Sequence, residues 1–226
     1  MKKYILFILH LPEPVHGSSV VGKRVKDSTL INDAFDCDYI NLSTSKSVDS
    51  IGVFKLNKAF VFIKILFTIL KYSLIKSYDK VYVAPTVSKK GFYKDFIVVF
   101  LIKLIHKHVC FHLHNKGVSK RNVNLLTTIL YKHFFKGVKV ILLSKYLYDD
   151  IKEFVSLEDV MICANGTETI VNLEKELKHR KKNKIPQLLF LSNLIESKGV
   201  LVLLEACAIL QNRGVDFNCT FVGGEG

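Results

Sequence analysis

Short apolar runs recur along the chain, and between them lie longer apolar stretches broken by lysine every few positions. The short runs predict buried strands and the longer stretches predict helices. Strands are expected over Lys3–His10, Asp38–Leu42, Val81–Ala84 (stopped by Pro85), Val109–His114, Val138–Leu143 and Val160–Cys163. Helices are expected over Ser18–Asn32 with Ser18 or Ser19 as N-cap, Lys58–Ser77, Phe92–His106, Asn122–Phe135, and Tyr146–Val155 capped by Ser144. Asp49 to Leu56 reads as irregular. Strand and helix alternate throughout, which predicts an α/β fold with a parallel sheet covered on both faces.

The alternation stops near Gly166, where a polar, charged stretch begins. A second α/β unit opens at Gln187 with the apolar run Leu188-Leu189-Phe190-Leu191. A polar loop follows, then Lys198-Gly199, an apolar helix from Val200 to about Gly214, a strand Phe217–Val222 and Gly223-Gly224. The expected organisation is a complete Rossmann-like domain over 1–167, a linker over 168–186, and the first β-α-β unit of a second domain over 187–226. Two strands and one helix are too few to close a nucleotide-binding unit, so the sequence is expected to stop inside its second domain.

The balance of 33 Lys plus Arg against 20 Asp plus Glu gives a formal charge of +13, which calls for an anionic partner. Nucleotide sugar, nucleic acid and an anionic membrane surface all qualify. The positive charge is spread out, with a single run at His179–Lys184, so a nucleic-acid partner is set aside. The five cysteines form no CxxC pair and several sit in apolar runs, the pattern of buried, reduced thiols in a cytoplasmic protein. Met1-Lys2-Lys3 and the apolar run after it lack a small-residue cleavage site and are expected to form the first strand. Lys58 to Lys71 is too short and too rich in lysine to span a bilayer. It either packs on the sheet or rests on anionic lipid, which would make the protein peripheral on the inner face of the membrane.

In parallel α/β sheets a ligand sits beyond the carboxyl ends of the strands, where helix starts present unpaired N–H groups. By that rule Lys198 and Gly199, between a strand and a helix, form a turn suited to a diphosphate. His114 closes its strand at the same edge, where an imidazole can donate to a hydroxylated or anionic ligand. Gly17, in the loop after the first strand, either lets a ligand approach the backbone or makes an ordinary turn. Gly17 to Arg24 nearly spells a P-loop, but Arg24 stands where magnesium needs a hydroxyl. Cys110, His112 and His114 share one strand face, yet a buried parallel strand leaves little room for an open metal site, and His112 reads as a core residue. Neither a Gly-x-Ser-x-Gly elbow nor a Gly-x-Gly-x-x-Gly fingerprint is present.

An ordered series of motifs resembles the group 1 (family 4) retaining glycosyltransferases of GT-B type. Pro12-Glu13-Pro14-Val15-His16-Gly17 is similar to their N-terminal glycine loop, and Phe111-His112-Leu113-His114-Asn115 to their HxH strand end. Ile141 to Leu147 and the Asn165-Gly166 turn follow at matching places. Phe190-Leu191-Ser192-Asn193-Leu194 with Lys198-Gly199, Leu204-Glu205-Ala206 and Phe221-Val222-Gly223-Gly224 complete the series. The resemblance implies two facing Rossmann-like domains and transfer of a sugar from a UDP- or GDP-sugar to a polysaccharide or glycolipid acceptor, with no metal and no cofactor. His114 and Lys198 would be catalytic. His16, Gly17, Asn115, Asn165, Gly166, Asn193, Gly199, Gly223 and Gly224 would bind substrate. Asn193 stands where the family carries arginine, and the family's paired glutamates have no counterpart here. A non-catalytic remnant that binds acceptor or membrane through its first domain is the other reading.

Overall fold

The computed structural model describes residues 2–44, 56–88, 91–121, 125–166 and 185–224. The chain divides into two compact units, Met1–Gly166 and Thr167–Gly226. The stretch expected to be irregular before Leu56, the first residues of the helix expected from Asn122, and nearly all of the expected linker with its basic run lie outside the described residues.

The first unit is built on a six-stranded parallel sheet. Its strands are β1 (Tyr4–Leu9), β2 (Asp36–Asn41), β3 (Lys80–Val83), β4 (Val109–Leu113), β5 (Lys139–Leu142) and β6 (Val160–Ile162), in the order β2-β1-β3-β4-β5-β6. Helices α3 (Leu56–Ile75), α4 (Gly91–Ile105) and, after the short α5 (Val118–Arg121), α6 (Leu125–Phe135) supply the main core with Ile65, Ile69, Val98, Val99, Ile102, Tyr131 and Phe134. These pack on Leu6, Ile8, Val81, Val83, Phe111 and Val140 of the sheet. Ile65 and Ile69 lie four apart, the spacing that puts two side chains on one helix face. A smaller cluster around Phe7, Leu9 and Ala84 is closed by Val25 of α1 (Gly17–Asp27) and Ile31 of α2 (Thr29–Ala34). The strand interiors are apolar on both faces because both faces are to be covered.

Several expectations shift. One helix over Ser18–Asn32 is in fact two, divided where the Ser28 side chain accepts from the Ile31 N–H and caps α2. The N-cap of α1 is His16, not Ser18 or Ser19. His16 Nδ1 accepts from the Ser19 N–H while Ser19 Oγ accepts from the His16 N–H, a reciprocal capping box. The second strand begins at Asp36, earlier than expected, in register with Tyr4. Beyond β5, Ser144 caps a 3-10 turn over Lys145–Asp150 in place of a longer helix. The fourth strand ends at Leu113, so His114 is the first residue past it. The thiols are less enclosed than expected: Cys163 is exposed, one residue beyond the edge strand β6, and the other four are half-buried.

The second unit holds two parallel strands, β7 (Gln187–Leu191) and β8 (Asn218–Val222), joined through helix α7 (Val200–Asn212). Lys198 lies in a 3-10 turn over Glu196–Lys198 rather than in the helix, and Gly199, with φ of +84°, is the N-cap. That left-handed conformation favours glycine. Among the described residues, no helix is long and apolar enough to cross a membrane.

Candidate functional site

In the first unit the chain leaves β1 through α1 and α2 for β2 on one side, then returns through α3 to β3 on the other. Strand order reverses at β1, and open α/β sheets bind ligands beyond the carboxyl ends at such a point. Three imidazoles gather there. His10 follows β1, His16 heads α1, and His114 follows β4. The rings of His10 and His16 lie 5.8 Å apart edge to face. His114 stacks obliquely on His112 at 4.2 Å.

Burial holds all four histidines neutral at physiological pH. Desolvation pushes His10 down to about 4, outweighing the nearby Asp95 carboxylate that raises it. Burial pushes His112 down to about 4 as well, with His114 adding to the shift, and lowers His16 and His114. His16 Nδ1 is committed as an acceptor to the Ser19 N–H. The remaining ring nitrogen, Nε2, therefore carries the proton and is a donor. His112 Nδ1 is paired with the Tyr82 hydroxyl, while His112 Nε2 and His114 Nδ1 are buried with no hydrogen-bond partner.

The walls of this crevice are held by side chains that reach across strand ends. Asp95, fully buried in α4, accepts from the Thr86 N–H at 2.7 Å, and its other oxygen pairs with Lys94 at 3.2 Å. Lys94 also donates to the Leu42 carbonyl at 3.2 Å. Asn115 Oδ1 accepts from the Val87 N–H at 3.2 Å, and Tyr131 donates to the Val87 carbonyl at 2.8 Å. Asp150 accepts from the N–H groups of Gly117, Val118 and Ser119 and from the Ser119 hydroxyl, so it fixes the loop after His114. Burial tends to raise its pKa, but those hydrogen bonds hold it below the usual carboxylate value.

Of the first-unit residues expected at the site, His16, His114 and Asn115 come to this edge. Gly17 is the first residue of α1, and a side chain there would meet nothing. The glycine that matters sterically is Gly22, where an added Cβ would overlap the His10 carbonyl oxygen. Asn165 and Gly166 are exposed beyond β6, and Arg24 of α1 donates to the Gly166 carbonyl. The expectations missed His10, Lys94 and Asp95. The edge rule applied to His114 singles out His10 as well, and Asp95 is the one acid in a largely apolar helix whose other charges are Lys94 and Lys103.

In the second unit, Asn193, Gly223 and Gly224 lie together. The Ser192 N–H donates to the Val222 carbonyl at 3.0 Å and the Leu194 N–H to the Gly224 carbonyl at 2.9 Å. A Cβ on Gly223 would overlap the Ser192 carbonyl, so the backbones meet where only glycine fits. Lys198 is exposed, and the start of α7 has no side-chain cap. Among the described residues no group of His, Cys, Asp or Glu is arranged to hold a metal.

Fold and crevice define a Rossmann-like α/β protein with a second, smaller parallel sheet. No protein-family model and no curated protein matches the chain. Among solved structures it is similar to MurG of Acinetobacter baumannii, at 10% identity and a TM-score of 0.37, over 97% of this chain and 68% of that one. At that score the fold assignment stands on strand order and register, not on the likeness.

Proposed function

We propose that the chain belongs to a nucleotide-sugar-dependent glycosyltransferase of the retaining, family 4 kind, acting on a polysaccharide or glycolipid acceptor. The observation that carries this reading is the cluster of His10, His16 and His114 at the point where strand order reverses. Neutral imidazoles suit hydroxyl groups better than they suit a second phosphate, so the crevice fits a sugar acceptor. The second unit supplies the complementary chemistry. Lys198, Asn193 and the N–H groups at the start of α7 would hold the diphosphate of a UDP- or GDP-sugar. During transfer the bond from the anomeric carbon to the diphosphate oxygen breaks, the acceptor oxygen bonds to that carbon, and the acceptor's hydroxyl proton passes to the departing diphosphate oxygen. The departing diphosphate keeps the electron pair, and Lys198 offsets its growing charge. Gly199, Gly223 and Gly224 let the backbone come close to it.

Calorimetry with UDP- and GDP-sugars tests the reading. Binding that weakens on the order of tenfold or more in Lys198→Ala is expected. No binding by any donor would sink it. Binding without transfer to any acceptor would instead favour the non-catalytic remnant.

A further inference from the structure

His112 is 6% exposed, yet one of its two ring nitrogens has no hydrogen-bond partner. A buried polar atom left so is rare enough in a folded protein to need a reason. Its neighbours supply one. Tyr82 of β3 stands level with Cys110 of β4, so Tyr82, Cys110 and His112 project from one face of the sheet. The Tyr82 ring meets His112 edge to face at 5.9 Å, and its hydroxyl bonds to His112 Nδ1. On the other side, the ring of His114 lies against His112 at 4.2 Å, tilted by 41°.

One proton per neutral ring sets the direction of these contacts. Among the described residues, His112 Nδ1 is the one partner of the Tyr82 hydroxyl. Donation to that nitrogen satisfies the phenol proton and makes Nδ1 the acceptor, so the proton of His112 sits on Nε2. In His114 the buried, unpaired nitrogen is Nδ1, whereas Nε2 is not shut in. An enclosed N–H without an acceptor is costlier than an enclosed bare nitrogen. The proton of His114 therefore sits on Nε2, where solvent or a ligand can receive it. A buried donor lacking an acceptor and a buried acceptor lacking a donor thus lie on neighbouring rings.

We propose that Tyr82 and His112 are positioning residues for His114. Tyr82 O–H donates to His112 Nδ1, His112 Nε2–H donates to His114 Nδ1 after a small turn of either ring, and His114 Nε2–H is left as a donor into the crevice. Each bond polarises the next, which strengthens the last donor in the chain. The order of protons stands without sugar transfer; only the group that His114 serves, a hydroxyl oxygen of sugar or acceptor, rests on that reading. With Nδ1 engaged and Nε2 protonated, His114 is a hydrogen-bond donor and not a base. That agrees with a transfer in which the acceptor's proton leaves with the diphosphate.

Nitrogen-15 magnetic resonance of the whole chain, above neutral pH, tests the proposal. Protons are expected on Nε2 of both rings, with a nitrogen–nitrogen coupling from His112 Nε2 to His114 Nδ1 across the hydrogen bond. Tyr82→Phe loses the hydroxyl and keeps the ring that packs on Phe7 at 5.2 Å. It should leave His112 in a mixture of tautomers and weaken the coupling. His112→Leu should raise the pKa of His114, because the lost hydrogen bond favours the neutral ring. His112→Gln, whose amide N–H reaches the place of Nε2, should restore the parent titration. A proton on Nδ1 of either ring in the unaltered chain would overturn the proposal. So would a His114 that titrates alike in His112→Leu and His112→Gln. No substrate enters these measurements, so their failure and a failure to bind nucleotide sugar are separate results.

Discussion

The two units are made of the same material and end in different states. In both, the strands are parallel and one of them is a nearly continuous apolar run, Tyr4–Leu9 in the first and Gln187–Leu191 in the second. In the first, helices lie on both faces of the sheet, and Leu6, Val83 and Phe111 are completely shielded from solvent. In the second, no described residue is buried, and exposed and half-buried residues alternate along β7 and β8. One face meets α7, where Cys207 reaches Cys219, and Phe190 lies against Phe221 at 5.6 Å. The other face presents Leu189 and Leu191, 65% and 72% exposed. An apolar strand thus states what must be covered; coverage itself comes from other elements.

Truncating one aromatic in each unit tests that difference most directly. Phe111 is fully buried and stacks near Phe134 at 4.9 Å. Phe111→Ala is expected to cost about 3–5 kcal/mol in urea unfolding, the range for a fully buried phenylalanine. Phe190 is half-buried on a two-stranded sheet, and Phe190→Ala should cost less than about half as much. Equal costs would mean that the second unit is as tightly packed in solution as the first.

Gly22→Ala comes next. The added methyl would meet the His10 backbone carbonyl, not the yielding end of a side chain, so α1 must move away from the end of β1. About 1–3 kcal/mol of destabilisation is expected, as for other overpacked sites. The nuclear magnetic resonance signals of the His10 ring should shift with it. An unchanged melting temperature and unchanged ring signals would show that the close approach is not needed.

A smaller effect, graded with pH, comes from His112, which is 6% exposed and held neutral down to about pH 4 by burial. The unfolded chain takes up that proton near pH 6.5 while the folded chain does not. The stability this histidine contributes is therefore complete above pH 6.5 and falls as pH drops toward 4. The slope is about 1 kcal/mol per pH unit within that window. Urea midpoints measured across it should show a shallower slope in His112→Asn. An identical slope would place the titration elsewhere.

Much of the first unit is legible in the sequence because most of its strands are short apolar runs and its helices interrupt their apolar faces with lysine. What escaped is tertiary or local competition. The break at Ser28 depends on one hydroxyl capping a new helix inside a stretch whose apolar pattern runs on. His16 was not expected as a cap because imidazole is not among the usual N-cap side chains, yet its Nδ1 accepts the same hydrogen bond. His114 was found by its place at a strand end; His10 occupies the same place after β1, and the same rule applied there finds it. Asp95 gives no local sign of its partner, the Thr86 N–H nine residues earlier. In the second unit, strand and helix were legible, but the spacing of apolar residues carries no information about whether a second layer lies over Leu189 and Leu191.

The smallest expected effect on stability is that of Lys198→Ala. Its side chain is exposed in a 3-10 turn, and no described hydrogen bond or ion pair uses it. Removing it should move the unfolding free energy by less than about 0.5 kcal/mol, as at other exposed positions away from caps and networks. That near-zero value gives the donor-binding measurement its meaning. A loss of nucleotide-sugar binding without a loss of stability is a loss of charge at the diphosphate, whereas a large drop in stability would make Lys198 a structural part of the turn ahead of α7. The second result would put Lys198 with Gly22 among residues that shape the fold.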